Sequence, residues 1–187
     1  MRWLNTSSSS TFAYKSPTES TKDTYLDGTV LEANFATDKV CISSDANSCI
    51  TSFKFGGIQK GARLASNIDG ILGLWSANYS DLTYDRKKML VPELVANTAI
   101  TKSAFSWYMI SETGKSYIDF GEPNTAAMFD SSKVVSLPIN QNSYYWSTSI
   151  TGFKWNGSQI SDSTEYKLTA FYAIHDSGAS CIMGPNA

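Results

Sequence analysis

The stretch Ala173-Ile174-His175-Asp176-Ser177-Gly178-Ala179-Ser180-Cys181-Ile182-Met183-Gly184-Pro185 decides how this chain is read. An apolar run enters Asp-Ser-Gly and a second apolar run leaves it, which predicts a carboxylate on a tight turn flanked by buried chain. Taken alone, the same residues also fit an ordinary surface turn, since Asp, Ser and Gly are the residues that build such turns. His175 is the only histidine. Alternation along a strand sends its side chain to the face opposite Asp176, so a structural or solvent-facing role is expected. Cys181, between Ser180 and Ile182, is expected to be a small buried residue without a partner.

Working outward, the rest of the chain has the same β-prone texture. Residues 1–24 are rich in Ser and Thr and predict irregular coil anchored by Trp3 and Phe12. Thr24-Tyr25-Leu26-Asp27-Gly28-Thr29-Val30-Leu31 places an Asp-Gly pair between β-prone residues, a strong local hairpin signal, with Tyr25 near the tip. The ribbon is predicted to run on through Phe35 and Val40-Cys41-Ile42. Ile50 to Phe55 alternates apolar and polar residues and predicts a half-buried strand ending in a turn at Gly56-Gly57. Ile68-Asp69-Gly70-Ile71-Leu72-Gly73-Leu74-Trp75 has apolar residues of both parities with glycines between them, which predicts a segment buried on both faces.

One short helix is expected over Lys88 to Asn97, with Leu90, Leu94 and Val95 on one side and Pro92 in its first turn. Further strands are predicted over Phe105 to Ile110, Ser116 to Phe120, Ser143 to Trp155 and Tyr166 to Ile174, with a linker near Leu137-Pro138. The fold class is therefore all-β with one or two short helices.

Composition narrows the partners. Fifteen Lys and Arg against 17 Asp and Glu give a net charge of −2, and the basic residues are scattered apart from Arg86-Lys87-Lys88, so no nucleic-acid footprint is predicted. No apolar run approaches the roughly 18 residues of a membrane span, and the N-terminus has no signal-like apolar block. Sequons at Asn5, Asn78 and Asn156 are no more than chance supplies. No metal-ligand cluster, phosphate loop or serine nucleophile elbow is present, and neither a cofactor nor a metal is expected. Cys41 and Cys49 flank a polar loop between apolar runs. A disulfide worth about 2 to 3 kcal/mol and two free thiols both fit that spacing.

Several of these segments, in order, resemble one family. Ser10-Thr11-Phe12, Tyr25-Leu26-Asp27-Gly28-Thr29, Phe35-Ala36-Thr37-Asp38, Phe53-Lys54-Phe55-Gly56 and Ile68 to Leu74 are followed by Phe105-Ser106-Trp107-Tyr108, Phe120-Gly121, Tyr145-Trp146-Ser147 and finally Asp176-Ser177-Gly178. This series is similar to the pepsin-like aspartic proteases, over nearly the whole chain.

The resemblance implies an incomplete bilobal β-barrel. Residues 1–137 would form most of the N-terminal lobe including the flap, and residues 138–187 the start of the C-terminal lobe. It implies an aspartic endopeptidase acting on peptide or protein substrates, secreted or lysosomal/vacuolar. Asp176 would be the second-lobe catalytic carboxylate; Ser177, Gly178 and Ser180 would shape its loop; Tyr25, Gly28 and Thr29 would belong to the flap. Ala179 departs from the family's usual hydroxyl residue, a loss on the order of 1 kcal/mol in loop hydrogen bonding. The larger departure is that Asp176-Ser177-Gly178 is the sole Asp-[Thr/Ser]-Gly. The expectation is a piece lacking the first catalytic motif and the C-terminal part, inactive alone. A non-catalytic pepsin-like binding or inhibitor protein is the alternative. A β-sandwich carbohydrate-binding module, suggested only by the 13% aromatic content, is a third.

Overall fold

The computed structural model describes residues 5–14, 19–25, 27–62, 68–76, 89–111, 114–128, 130–143, 145–162, 172–179 and 181–183. The chain divides into two units, one formed by Met1–Leu74 with Asp85–Met128 and the other by Trp75–Tyr84 with Phe129–Ala187. It is mainly β, as its composition predicts, and among the described residues all strand pairs are antiparallel and no sheet closes into a barrel.

In the first unit, strands β1 (Ala13–Tyr14), β2 (Ser20–Thr24), β3 (Val30–Cys41) and β4 (Cys49–Ala62) form one sheet organised on β3. β3 pairs with β2 from Thr24↔Val30 to Ser20↔Asn34, and with β4 from Val30↔Ala62 to Cys41↔Cys49. The predicted hairpin over Thr24 to Leu31 forms, because Asp27-Gly28 supplies the turn. The expected coil of residues 1–24 is instead partly strand. Phe12 stacks edge-on against Tyr14 at 5.0 Å and lies 6.4 Å from Phe55, and those contacts hold β1 on the sheet. Trp3 lies outside the described residues.

Helix α1 (Leu90–Ala96) carries the core. Leu90 and Leu94, four residues apart and so on one face, pack with Ile50 against Ile42, Phe53, Leu74, Ala99, Ile100 and Phe120. Full burial of Leu94 contributes about 2 kcal/mol relative to exposure. Val91 shares the buried face, whereas Val95 is half-buried. Pro92 falls in the first turn, where its missing N–H costs nothing. Asn97 ends the helix, its side-chain amide donating to the Glu93 carbonyl at 2.9 Å. β5 (Phe105–Tyr108) and β6 (Tyr117–Phe120) form a separate pair.

The second unit holds β7 (Ser147–Ser149) paired with β10 (Tyr172–Ile174), and a hairpin of β8 (Gly152–Trp155) with β9 (Ser158–Asp162). The single strand expected over Ser143 to Trp155 is thus two. Asn156 at φ 48° and Gly157 at φ 80° turn the second hairpin, the left-handed pair of a type I′ turn.

Three further expectations are corrected. Gly56-Gly57 does not end a strand: β4 runs straight through it. Gly56 pairs with Phe35, and a Cβ there would lie 3.0 Å from the Cβ of Ala33. The glycine therefore serves close packing rather than turning. Ile68 to Trp75 is not buried on both faces. Ile71 and Leu72 are 49% and 58% exposed, and a Cβ on Gly70 or Gly73 would meet nothing within 4 Å. Its apolar pattern names no strand partner, and it is part of none of the described sheets. Cys181 is free and exposed rather than buried, because β10 ends at Ile174 and the residues after the turn join no described strand.

Candidate functional site

In the second unit, β10 delivers Asp176 to a turn two residues beyond its last pairing, Ile174↔Ser147. The His175 amide donates to the Trp146 carbonyl at 2.8 Å, which extends the hold of β7 to the residue before Asp176. The turn then closes on itself. Asp176 Oδ1 accepts the Gly178 amide at 2.8 Å, and the Asp176 carbonyl accepts the Ala179 amide at 3.2 Å. This is an Asx-type turn, in which the carboxylate mimics a backbone carbonyl. Asp176, Ser177 and Gly178 are exposed, so the carboxylate is open to a reactant. Ser180 lies outside the described residues.

His175 is exposed, and its Nε2 lies 3.0 Å from the Thr148 hydroxyl. Ser147 and Thr148 are both buried, at 3% and 5% exposure. Thr148 has this imidazole partner; the Ser147 hydroxyl has none among the described residues.

The other predicted site residues lie in the first unit. The Tyr25 amide donates to the Thr29 carbonyl at 2.8 Å and the Gly28 amide to the Tyr25 carbonyl at 2.9 Å, closing the hairpin tip between β2 and β3. Gly28 has φ 81°, which a side chain would resist. Asp27, read from the sequence only as half of the turn pair, also locks the tip: its two carboxylate oxygens accept the Thr29 amide at 2.8 Å and the Thr29 hydroxyl at 2.9 Å. The Asp-x-Thr spacing is the local signal for such a turn. Burial, and secondarily the Asp23 carboxylate, hold the Tyr25 phenol above its ordinary value of 10.0.

Cys41 and Cys49 face each other in register and form a disulfide across β3 and β4, which settles the choice that their spacing left open. Among the described residues no group of His, Cys, Asp and Glu is arranged to hold a metal, and no helix is long and apolar enough to cross a membrane.

A family model described as eukaryotic aspartyl protease matches residues 1–187. No curated protein matches the chain.

Proposed function

The chain belongs to the eukaryotic aspartyl protease family, and on that premise we propose that Asp176 is the second-lobe catalytic carboxylate of an aspartic endopeptidase. The observation that carries the reading is the exposed Asp176 side chain on a tight turn fixed by its own hydrogen bonds. Ser177 and Gly178 lie in that turn, and with Ser180 they are the residues assigned to the loop around Asp176 on this reading. Tyr25, Gly28 and Thr29 form the flap, the hairpin that closes over a bound peptide and excludes water. Residues 1–137 then correspond to most of the first lobe and residues 138–187 to the start of the second.

The chemistry needs two carboxylates crowded so closely that they share one proton. The ionised one takes a proton from water as the water oxygen adds to the scissile carbonyl carbon, and the protonated one donates to the carbonyl oxygen. The tetrahedral intermediate collapses when the amide nitrogen is protonated and leaves as the amine. Asp176-Ser177-Gly178 is the one Asp-[Thr/Ser]-Gly in these 187 residues, so the chain contributes half of the pair and is inactive by itself. The disulfide between Cys41 and Cys49 supports an oxidising, secreted or lysosomal/vacuolar setting.

The test is proteolysis at acid pH by the chain alone and by the chain mixed with a polypeptide carrying a first-lobe Asp-Thr-Gly. No cleavage alone and pepstatin-sensitive cleavage in the mixture, lost in Asp176→Asn, is the expected result. Cleavage by the isolated chain that ignores pepstatin would overturn it. A second reading, a non-catalytic pepsin-like binding or inhibitor protein, is favoured by the single motif and by Ala179. Tight binding of a protease or peptide by a mixture that never cleaves would select it.

A further inference from the structure

We propose that Thr148 is a positioning residue for Asp176, acting through the imidazole of His175. The assignment rests on the reading of Asp176 as the catalytic carboxylate.

Among the described residues, the hydrogen bonds inside the Asp176 turn join residue 176 to residues 178 and 179. They fix its internal shape and leave its direction from the sheet unset. That direction is decided at His175, the last residue held by β7. Its backbone is pinned by the 2.8 Å bond to the Trp146 carbonyl. Its side chain is pinned by Thr148, 27 residues away in sequence, at 3.0 Å.

The geometry explains the pairing. Thr148 stands opposite Ala173, and Ser147 opposite Ile174. With alternation, Thr148, Ala173 and His175 share one face of the strand pair, and Ile174 lies on the other. The imidazole therefore reaches back over the small Ala173 side chain to the hydroxyl. An apolar residue at position 175 has no atom to make this bond, and a hydroxyl as buried as that of Thr148 would then be left without a partner, at a desolvation cost. A hydroxyl both donates and accepts, so the bond suits a neutral imidazole, which can accept, and a protonated one, which donates. Two anchors at one residue, one of backbone and one of side chain, leave the next residue little freedom of direction.

The experiment follows the Gly178 amide and Asp176 carboxyl resonances by NMR in the isotope-labelled 187-residue chain. The variants are Thr148→Val, which keeps the shape and removes the hydroxyl, His175→Leu, and the conservative Thr148→Ser. In Thr148→Val and His175→Leu both resonances are expected to move most of the way to their positions in a short peptide of residues 173–181. Thr148→Ser is expected to restore them, which a purely structural role in packing the threonine methyl would not do. The Asn140 amide, bonded to the Ser147 carbonyl at 2.8 Å in the same unit, serves as the control that the fold around β7 is intact. If Thr148→Val does not fold, His175→Leu, altered at an exposed ring, decides alone. Unmoved Gly178 and Asp176 resonances in the folded variants would overturn the tether. No substrate is involved, so a mixture with the first-lobe polypeptide that never cleaves counts against the catalytic reading and leaves this result untouched.

Discussion

Asp176 Oδ1 accepts the Gly178 amide at 2.8 Å, and that same oxygen would lie 3.1 Å from a Cβ placed on Gly178. Glycine is needed here for the close approach of a carboxylate to backbone, not for a left-handed conformation. Gly178→Ala is expected to push the carboxylate out of its Asx bond while costing the exposed turn less than about 1 kcal/mol of stability. The Asp176 carboxyl carbon resonance should shift while the denaturant midpoint barely changes. An unmoved resonance would show that the turn absorbs the methyl group.

Gly28 answers to a different constraint. Its φ of 81° places it in the left-handed region, where a Cβ costs about 1 to 2 kcal/mol. Gly28→Ala is expected to destabilise the β2–β3 hairpin by that amount, and Gly28→Asn by less, because asparagine tolerates this region. Urea denaturation of the two variants side by side checks both the size and the order.

The contrast between these glycines explains what the sequence made legible. The Asp27-Gly28 hairpin was readable because its chemistry is local: turn, carboxylate lock and left-handed residue lie within three positions. Asn156-Gly157 carries an equally strong local signal, and the expectation of a strand ending at Trp155 stopped one residue short of it. Gly56-Gly57 misled because its reason is Ala33 on the neighbouring strand, which no window around residue 56 contains. Ile68 to Trp75 misled for a related reason, since apolar letters predict burial without naming what will cover them. At the candidate site, the Asp176 turn was visible in its own residues, but the buried flanks expected of it are not found: Ile174, Ile182 and Met183 are 52%, 81% and 71% exposed. Thr148 was not, because its contact with His175 depends on the register between β7 and β10.

Ser147 offers a test of hydroxyl accounting in the same strand. Its side chain is 3% exposed and its oxygen has no hydrogen-bond partner among the described residues, so the folded state carries an unpaid desolvation cost of about 1 to 3 kcal/mol. Ser147→Ala should therefore be neutral or stabilising, by up to about 1 kcal/mol once the small loss of packing is included. Thr148→Val, one residue on, removes a hydroxyl that has a partner and should destabilise. Thermal unfolding of both variants distinguishes them, and a destabilised Ser147→Ala would mean that its hydroxyl is satisfied in solution.

Asp38 gives a pH dependence with a definite sign. Hydrogen bonds from the Thr11 and then the Ser9 hydroxyl hold its carboxyl below the ordinary value of 3.8 against the opposing effect of desolvation, with a lesser contribution from the Lys39 amide. A depressed folded-state value means that the stabilisation is fully present above 3.8, the value in the unfolded chain, and is lost as pH falls through the lower folded value. Asp38 is only half-buried and its partners lie at the edge of the sheet, so the effect is expected to be local: residues 9–11 detach from β3 as pH falls through the folded value, below 3.8, while the rest of the sheet persists. The Lys39 amide, bonded to Asp38 Oδ1 at 2.7 Å, reports it in an NMR titration. In Asp38→Asn that acid transition should vanish, and a transition that survives the substitution would assign it to another carboxylate.

The Cys41–Cys49 disulfide closes a loop that is already ordered by hydrogen bonds. The buried Ser48 hydroxyl lies 2.6 Å from the Asp45 carbonyl and 2.8 Å from the Ser43 hydroxyl, Asp45 Oδ1 accepts the Asn47 amide at 2.9 Å, and the Ile42 amide donates to the Ser48 carbonyl at 3.1 Å. Chain entropy alone assigns a loop this short about 2.5 kcal/mol. Residual order in the reduced loop would lower that figure, because the unfolded chain then has less freedom to lose. The double variant Cys41→Ala with Cys49→Ala is therefore expected to lose about 1 to 2.5 kcal/mol, and Ser48→Ala in that background to lose more than it does in the oxidised protein. A double-mutant cycle on denaturant midpoints measures the difference. Equal losses in both backgrounds would show that the hydroxyl and the disulfide hold the loop independently, and that Ile50, next to Cys49 in β4 and packed on Leu94, is kept in place by the helix.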